Sequence, residues 1–141
     1  MADQSANKVV FELVTPARLM ESGAADMVVV PGSEGDFGVL PGHTPFLTTL
    51  RPGVVDVHDD GAVTQRIFIA GGFAEANETR CTVLADEAVA VGDIDRADAE
   101  ARIAAAREAL SVAGESEKSA AEAELRTAEA LLAATEGAPA H

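Results

Sequence analysis

Over roughly the first ninety residues, apolar positions fall in short runs, some alternating and some continuous. "KVVFELV" alternates around Val9, Phe11 and Leu13, and "DMVVV", "FGVL", "PFLTTL", "GVVDV", "RIFIA", "GFAEA", "RCTVLA" and "EAVAV" follow it. Such runs, parted by Gly, Pro, Asp or Asn, read as strands, because strand side chains alternate faces and breakers end the pairing. Asp60-Gly61 in "DDGA" marks a tight hairpin, since the central positions of such a turn take positive φ. Many short strands at this spacing predict an antiparallel sandwich or barrel.

The pattern changes at "VGDIDRADAEARIAAAREAL". From Ile94 the chain is almost free of Gly and Pro until "EGAPAH", and it is rich in Ala, Leu, Glu and Arg, which favour helix. Ala99, Ile103, Ala106, Leu110 and Ala113 recur at a 4-3-4-3 spacing. Beyond the break "AGES", Ala121, Leu125, Ala128, Leu132 and Thr135 repeat it. That period puts each set on one helical face, so two helices are expected, over about 94–112 and 117–135, joined as an antiparallel hairpin. Asp93 or Asp95 is placed to cap the first and Ser116 the second, with a disordered tail after them. The stripes are mostly alanine. At about 25 cal/mol per Å2 such a seam gains little alone, so the hairpin needs something to dock on. The chain thus divides into a β domain, 1–92, and a helical appendage, 93–141.

Composition narrows the function. Hydrophobic residues make up 48% of the 141, enough for a packed core, but there are five Phe and no Trp or Tyr. A net charge of −14 repels polyanions, which argues against nucleic acid and bare anionic lipid as partners. The single Cys81 forms no internal disulfide and fits a reducing compartment. No apolar run approaches the roughly 20 residues of a membrane span, and "MADQSANK" has no signal-peptide core, so a soluble chain without membrane insertion is expected.

The stretch "VVVPGSEGDFGVLPGHTPFLTTLRPG", residues 28–53, is dense in Gly and Pro and follows a demanding path. It is no phosphate cradle: "GSEGDFG" has no Lys, carries Glu34 and Asp36, and runs into a strand. Glu34, Asp36 and His43 supply too few ligands for a metal, and His58-Asp59-Asp60 reads as a solvated turn. Ser33 lacks the strained turn of an activated nucleophile, and Cys81 reads as a small core residue. No catalytic constellation, metal or cofactor is implied. A shaped loop without reactive groups, carried on a rigid sheet, points to a binding surface.

The segment "VPGSEGDFGVLPGHTPFLTTLRPGVV" closely resembles the signature of the epsilon subunit of bacterial F-type ATP synthases. "IFIAGGFAEANETRCTVLADEAV" is similar to later strands of that family and "DIDRADAEARIAAAR" to its first C-terminal helix, so the likeness covers roughly residues 8–135. The resemblance implies an N-terminal antiparallel ten-stranded β-sandwich and a C-terminal two-helix hairpin. It implies a non-catalytic central-stalk subunit, peripheral on the cytoplasmic side of the bacterial inner membrane. Its partners would be the gamma subunit, the c subunits of the membrane ring and, transiently through the hairpin, the alpha and beta subunits. Ring and shaft would turn together and couple proton flow to ATP synthesis. The ring-contact role maps onto Asp36 and His43.

Two features depart from the family pattern. Some members bind ATP through Ile/Leu-Asp-x-x-Arg-Ala, where this chain has Ile94-Asp95-Arg96-Ala97-Asp98-Ala99. Ile94, Asp95 and Ala99 match, but Asp98 replaces the arginine and would repel a phosphate. Family inhibition of ATP hydrolysis relies partly on basic side chains of the second helix. Residues 117–136 carry Lys118 and Arg126 against Glu117, Glu122, Glu124, Glu129 and Glu136. Rival readings are a sandwich enzyme using Asp36 and His43, and an adaptor whose hairpin captures a partner helix.

Overall fold

Ten strands and two helices follow one another in the computed structural model, which describes residues 7–136. The tail expected after the second helix, 137–141, lies outside the described residues. The strands are β1 (Val9–Val14), β2 (Leu19–Ala25), β3 (Met27–Gly32), β4 (Gly35–Val39) and β5 (Phe46–Leu50). They continue as β6 (Gly53–Asp59), β7 (Ala62–Ile69), β8 (Gly72–Ala76), β9 (Arg80–Ala85) and β10 (Ala88–Ala90). Pairing builds two layers, β10-β7-β6-β3-β4 and β5-β8-β9-β1-β2, linked where Gly32 pairs with Leu50. This is the ten-stranded sandwich that the resemblance implied. One pairing departs from the antiparallel expectation: β1 runs parallel to β9, Val10 opposite Arg80 and Val14 opposite Leu84. Some seventy residues separate these strands, so no tight hairpin dictates their direction.

Alternation does the sorting. Along β1, Val9, Phe11 and Leu13 are buried, and they meet Val28, Val30, Val55, Ile67 and Val83 in one core between the layers. Cys81 is among them with no exposed surface, and burial pushes its thiol up to about 12. The Asp60-Gly61 hairpin forms as the sequence predicts, with φ of 52° and 78° at the two residues. His58-Asp59-Asp60 is more than a solvated turn. Lys8, just before β1, ion-pairs with Asp59 and, at 2.9 Å, with Asp26, and so ties the turn to the corner between β2 and β3.

A 3-10 turn, Val91–Asp93, leads to α1 (Arg96–Ser111), which a short connection joins to α2 (Lys118–Thr135). Asp95 caps α1, its carboxylate accepting from the backbone N–H of Ala97 at 2.9 Å and of Asp98 at 3.4 Å. Ser116 does not cap α2. The chain enters that helix through Glu117, already in helical conformation, whose N–H bonds Gly114 O at 3.0 Å and whose carboxylate takes the Gly114 N–H at 3.3 Å. A turn already wound to the right supplies the start that a cap would otherwise provide.

The expected stripes face each other, with Ala99, Ile103, Ala106 and Ala128 buried. A second face of α2 was not legible from spacing. Leu131 and Ala134 are buried with Ala99 against Phe68 of β7, beside Val54, Val89 and Ile94. The hairpin lies folded on the outer side of the β6–β7 layer. Because "AEALLAAT" is apolar almost all round, its period alone does not say which side meets the sheet.

Candidate functional site

The β3–β4 hairpin and the loop after it form one end of the sandwich. Asp36, on β4, pairs with Arg51, whose guanidinium lies 2.5 Å from Asp36 Oδ1 and also donates to Gly32 O at 2.5 Å. The backbone N–H of Arg51 bonds Pro31 O at 2.9 Å. One arginine thus fastens the hairpin to the chain following β5 through charge-assisted bonds. Ser33 Oγ lies 3.0 Å from Thr49 Oγ1, a further stitch between the same segments. Glu34, at the hairpin tip, is exposed.

His43 sits in the loop between β4 and β5. Gly42, at φ +81°, turns the chain there, and its N–H reaches Glu78 O at 2.7 Å. His43 Nδ1 lies 2.6 Å from Thr44 O, and because a carbonyl only accepts, that nitrogen carries the proton. The imidazole packs edge-on to Phe37 and Phe46 with centroids 5.4 and 5.2 Å away, and the two phenyl rings are 4.5 Å apart. Phe37 and Leu40 stay 36% and 51% exposed, so this end presents apolar groups on a braced loop.

Asp36 and His43 therefore have different anchors, a guanidinium and an aromatic pair. Spacing alone did not reveal Arg51 or the Phe37–Phe46 contact. A signal was present, since Arg51 is the sole Lys or Arg between Val28 and Gly53 and had two acids to answer. The acid–base rival finds no support in these anchors, as the His43 ring is oriented by packing and a backbone carbonyl.

A second surface lies on the outer face of the β5-β8-β9-β1-β2 layer. Register aligns Phe73 with Leu84, Leu84 with Val14, and Val14 with Leu19 across four neighbouring strands. Leu19, Phe73 and Leu84 are each about half exposed, and Leu47 on β5 adds a fourth large apolar side chain. The next row carries Glu12, Thr82 and Glu75 in register, with Leu47 at its end opposite Glu75 and Arg80 bonded to Glu12 at 2.6 Å. A depression of about 270 Å3 beside the apolar row is lined by Val14, Pro16, Phe73 and Leu84. Large apolar groups gathered in a row on a sheet mark a contact surface, whereas scattered ones do not.

The residues of the nucleotide-like motif are engaged within the fold. Asp95 caps α1, Ala99 is fully buried and Ile94 packs beside Phe68. Arg96 pairs with Glu136, just past the end of α2, Arg102 pairs with Glu124 on α2, and Arg107 approaches Glu129 at 3.9 Å. Asp26, Asp59 and Asp60 come close enough together for a cation, but the Lys8 ammonium already lies among them. Its hydrogen bonds to Asp59 and Asp26 raise the pKa of Lys8, and Lys8 in turn lowers that of Asp26. Among the described residues no helix is long and apolar enough to cross a membrane.

A family model described as the β-sandwich domain of the ATP synthase delta/epsilon chain matches residues 8–91. The ATP synthase epsilon chain of Paramagnetospirillum magneticum is 60% identical over 105 residues, which cover 74% of this chain and 79% of that one. That of Rhodospirillum rubrum is 53% identical over 100 residues, covering 71% and 75%. A chain from the Euglena gracilis mitochondrial ATP synthase, in a structure of OSCP, F1 and c-ring, superposes with a TM-score of 0.78 at 26% identity, over 91% of this chain and 81% of that one. A chain from the central stalk and c-ring of the Tetrahymena thermophila enzyme shares the fold, with a TM-score of 0.66 at 16% identity over 91% and 96%. The braced loop end and the apolar sheet face thus sit on a sandwich of known kind, and the chain belongs to the ATP synthase epsilon-chain family.

Proposed function

We propose that this chain is a non-catalytic subunit of the central stalk, joining the foot of gamma to the membrane ring so that proton flow through the ring drives ATP synthesis in the head. The observation that carries this reading is the grouping of exposed apolar side chains on two surfaces, the sheet face of Leu19, Leu47, Phe73 and Leu84 and the loop end of Phe37 and Leu40. A rotor link needs two such surfaces. The broad sheet face suits gamma, and the loop end, with exposed Glu34 at its tip, suits the polar loops of the c subunits. Within that end Asp36 acts through Arg51 and His43 through its aromatic neighbours, so both shape the ring contact. The protein then works peripherally on the cytoplasmic side of the bacterial inner membrane.

Regulation is the weaker part of the role. The hairpin reaches the alpha and beta subunits only when it leaves the sandwich, and its ten acids against five bases after Asp93 oppose an acidic partner. Nucleotide binds at millimolar strength at best, because Asp98 stands in the motif arginine's position and Arg96 and Arg102 are already paired with glutamates.

Gel filtration of the chain mixed with gamma tests the rotor reading. The native chain co-elutes, and Phe73→Glu with Leu84→Glu weakens the complex at least tenfold while the circular dichroism stays native. Burial of one such side chain is worth about 1.5–3 kcal/mol, so losing two is readily detected. Failure of the native chain to co-elute would refute the link. Unchanged binding by the variant would move the gamma surface elsewhere.

A further inference from the structure

Arg102 stands where three parts of the molecule meet. It lies on α1, Glu124 lies on α2, and Glu87 belongs to the turn between β9 and β10. Its Nη1 and Nη2 donate to the two Glu87 carboxylate oxygens at 2.9 and 3.1 Å, a forked pair. Its Nε and Nη2 donate to Glu124 at 2.8 and 3.1 Å, a second fork. The turn that carries Glu87 is itself fixed, since Ala70 N bonds Glu87 O at 2.9 Å. The other arginines of α1 differ. Arg96 pairs with Glu100 and Glu136, and Arg107 approaches Glu129, all within the helical unit.

The apolar contact beneath this node is thin. It consists of Phe68 and Leu131 surrounded mainly by alanine, valine and isoleucine at its margins. A modest ionic contribution therefore weighs more here than it would over a large core. Two parallel N–H···O bonds also fix direction, which a single lysine would not do.

We propose that Arg102 is an ion-pair latch that holds the helical hairpin on the sandwich through Glu87, so that ionic strength sets how readily the hairpin is released. The consequence for regulation rests on the reading of the hairpin as an element that leaves the sandwich to reach the catalytic head. The latch itself is a property of the chain alone. Arg102 is the positioning residue. Glu124 keeps its guanidinium aimed at the sheet, and that pairing lowers the pKa of Glu124 and raises that of Arg102.

The test uses the full chain with Cys81→Ala and Ala134→Cys, which puts a single thiol in the docking face, where residue 134 is 8% exposed. Alkylation of that thiol reports hairpin release. Glu87→Gln removes the sandwich arm and leaves the Arg102–Glu124 pair, so the hairpin itself stays intact. It is expected to speed alkylation roughly fivefold, the upper range for an exposed pair. Arg107→Gln, which loses only a contact between helices, should change the rate less than twofold. Raising salt from about 0.1 to 1 M shortens the screening length from ~10 to ~3 Å. This should speed the parent severalfold and leave Glu87→Gln nearly flat. A Glu87→Gln rate within twofold of the parent, or equal release by Arg107→Gln, overturns the latch. If Glu87→Gln frees the hairpin but hydrolysis by the assembled synthase is unchanged, the latch stands and the regulatory reading falls.

Discussion

In the sandwich, Val9, Phe11, Leu13, Val30, Ile69 and Val83 close a core between two five-stranded layers, nearly all of them without exposed surface. The helical hairpin meets that sandwich through Phe68, Leu131 and Ala134, with the Arg102–Glu87 ion pair at the edge. One region is held by many interlocking side chains, most of them β-branched, around Phe11, and has no separable part. The other leans on a few contacts at the surface of a finished fold. The difference teaches where motion is permitted. A core loses everything when one piece leaves, whereas a docked hairpin can detach and leave the sandwich intact.

The hardest blow to this contrast falls on the sandwich. Phe11→Ala removes a ring that is 2% exposed at the middle of β1. It should destabilise the chain by about 3–5 kcal/mol, the usual cost of emptying such a site. Urea unfolding followed by circular dichroism reads this directly. A loss below about 1 kcal/mol would mean that the layers repack and that the two regions differ less than their composition suggests.

Leu131→Ala strikes the docking face and should act locally. Leu131 is 8% exposed and packs with Phe68, so its truncation should cost about 2–3 kcal/mol of docking, near the low end for leucine because the site opens to solvent. Trypsin should then cleave faster at Arg107 and Arg126, while the sandwich unfolds at the same urea concentration as before. If the urea midpoint of the sandwich falls in step with hairpin release, the chain is one cooperative unit and the comparison fails.

The sequence was most informative where geometry is local. Alternation in "KVVFELV", the Asp60-Gly61 turn and the 4-3-4-3 stripes each depend on neighbours a few residues away, and the structure contains all three. The parallel β1–β9 pairing joins strands some seventy residues apart and leaves no trace in either one. The same holds for Arg51 on Asp36, Arg102 on Glu87 and Lys8 on Asp59. An ion pair advertises only that charges exist, and the fold decides which ones meet. The apolar row Leu19–Val14–Leu84–Phe73 was hidden for a related reason. Each residue reads as an ordinary strand position until register aligns them across four strands.

The smallest expected effect concerns the junction between the regions. Asp95 caps α1 through the N–H groups of Ala97 and Asp98, and its carboxylate also complements the helix dipole. Asp95→Ala should cost about 1 kcal/mol, confined to the first turn of α1, with hydrogen exchange accelerated at residues 97–99 and the sandwich unaffected. Asp95→Asn should restore most of the loss, because an amide oxygen caps nearly as well as a carboxylate. A nucleotide-binding role would leave a different mark: ATP would protect the native helix start from exchange, and Asp95→Asn would remove that protection while keeping the cap. Titration with ATP at micromolar concentration should therefore change nothing at residues 94–99. Protection there would make Asp95 a ligand as well as a cap and would show that the hairpin's docking answers to nucleotide.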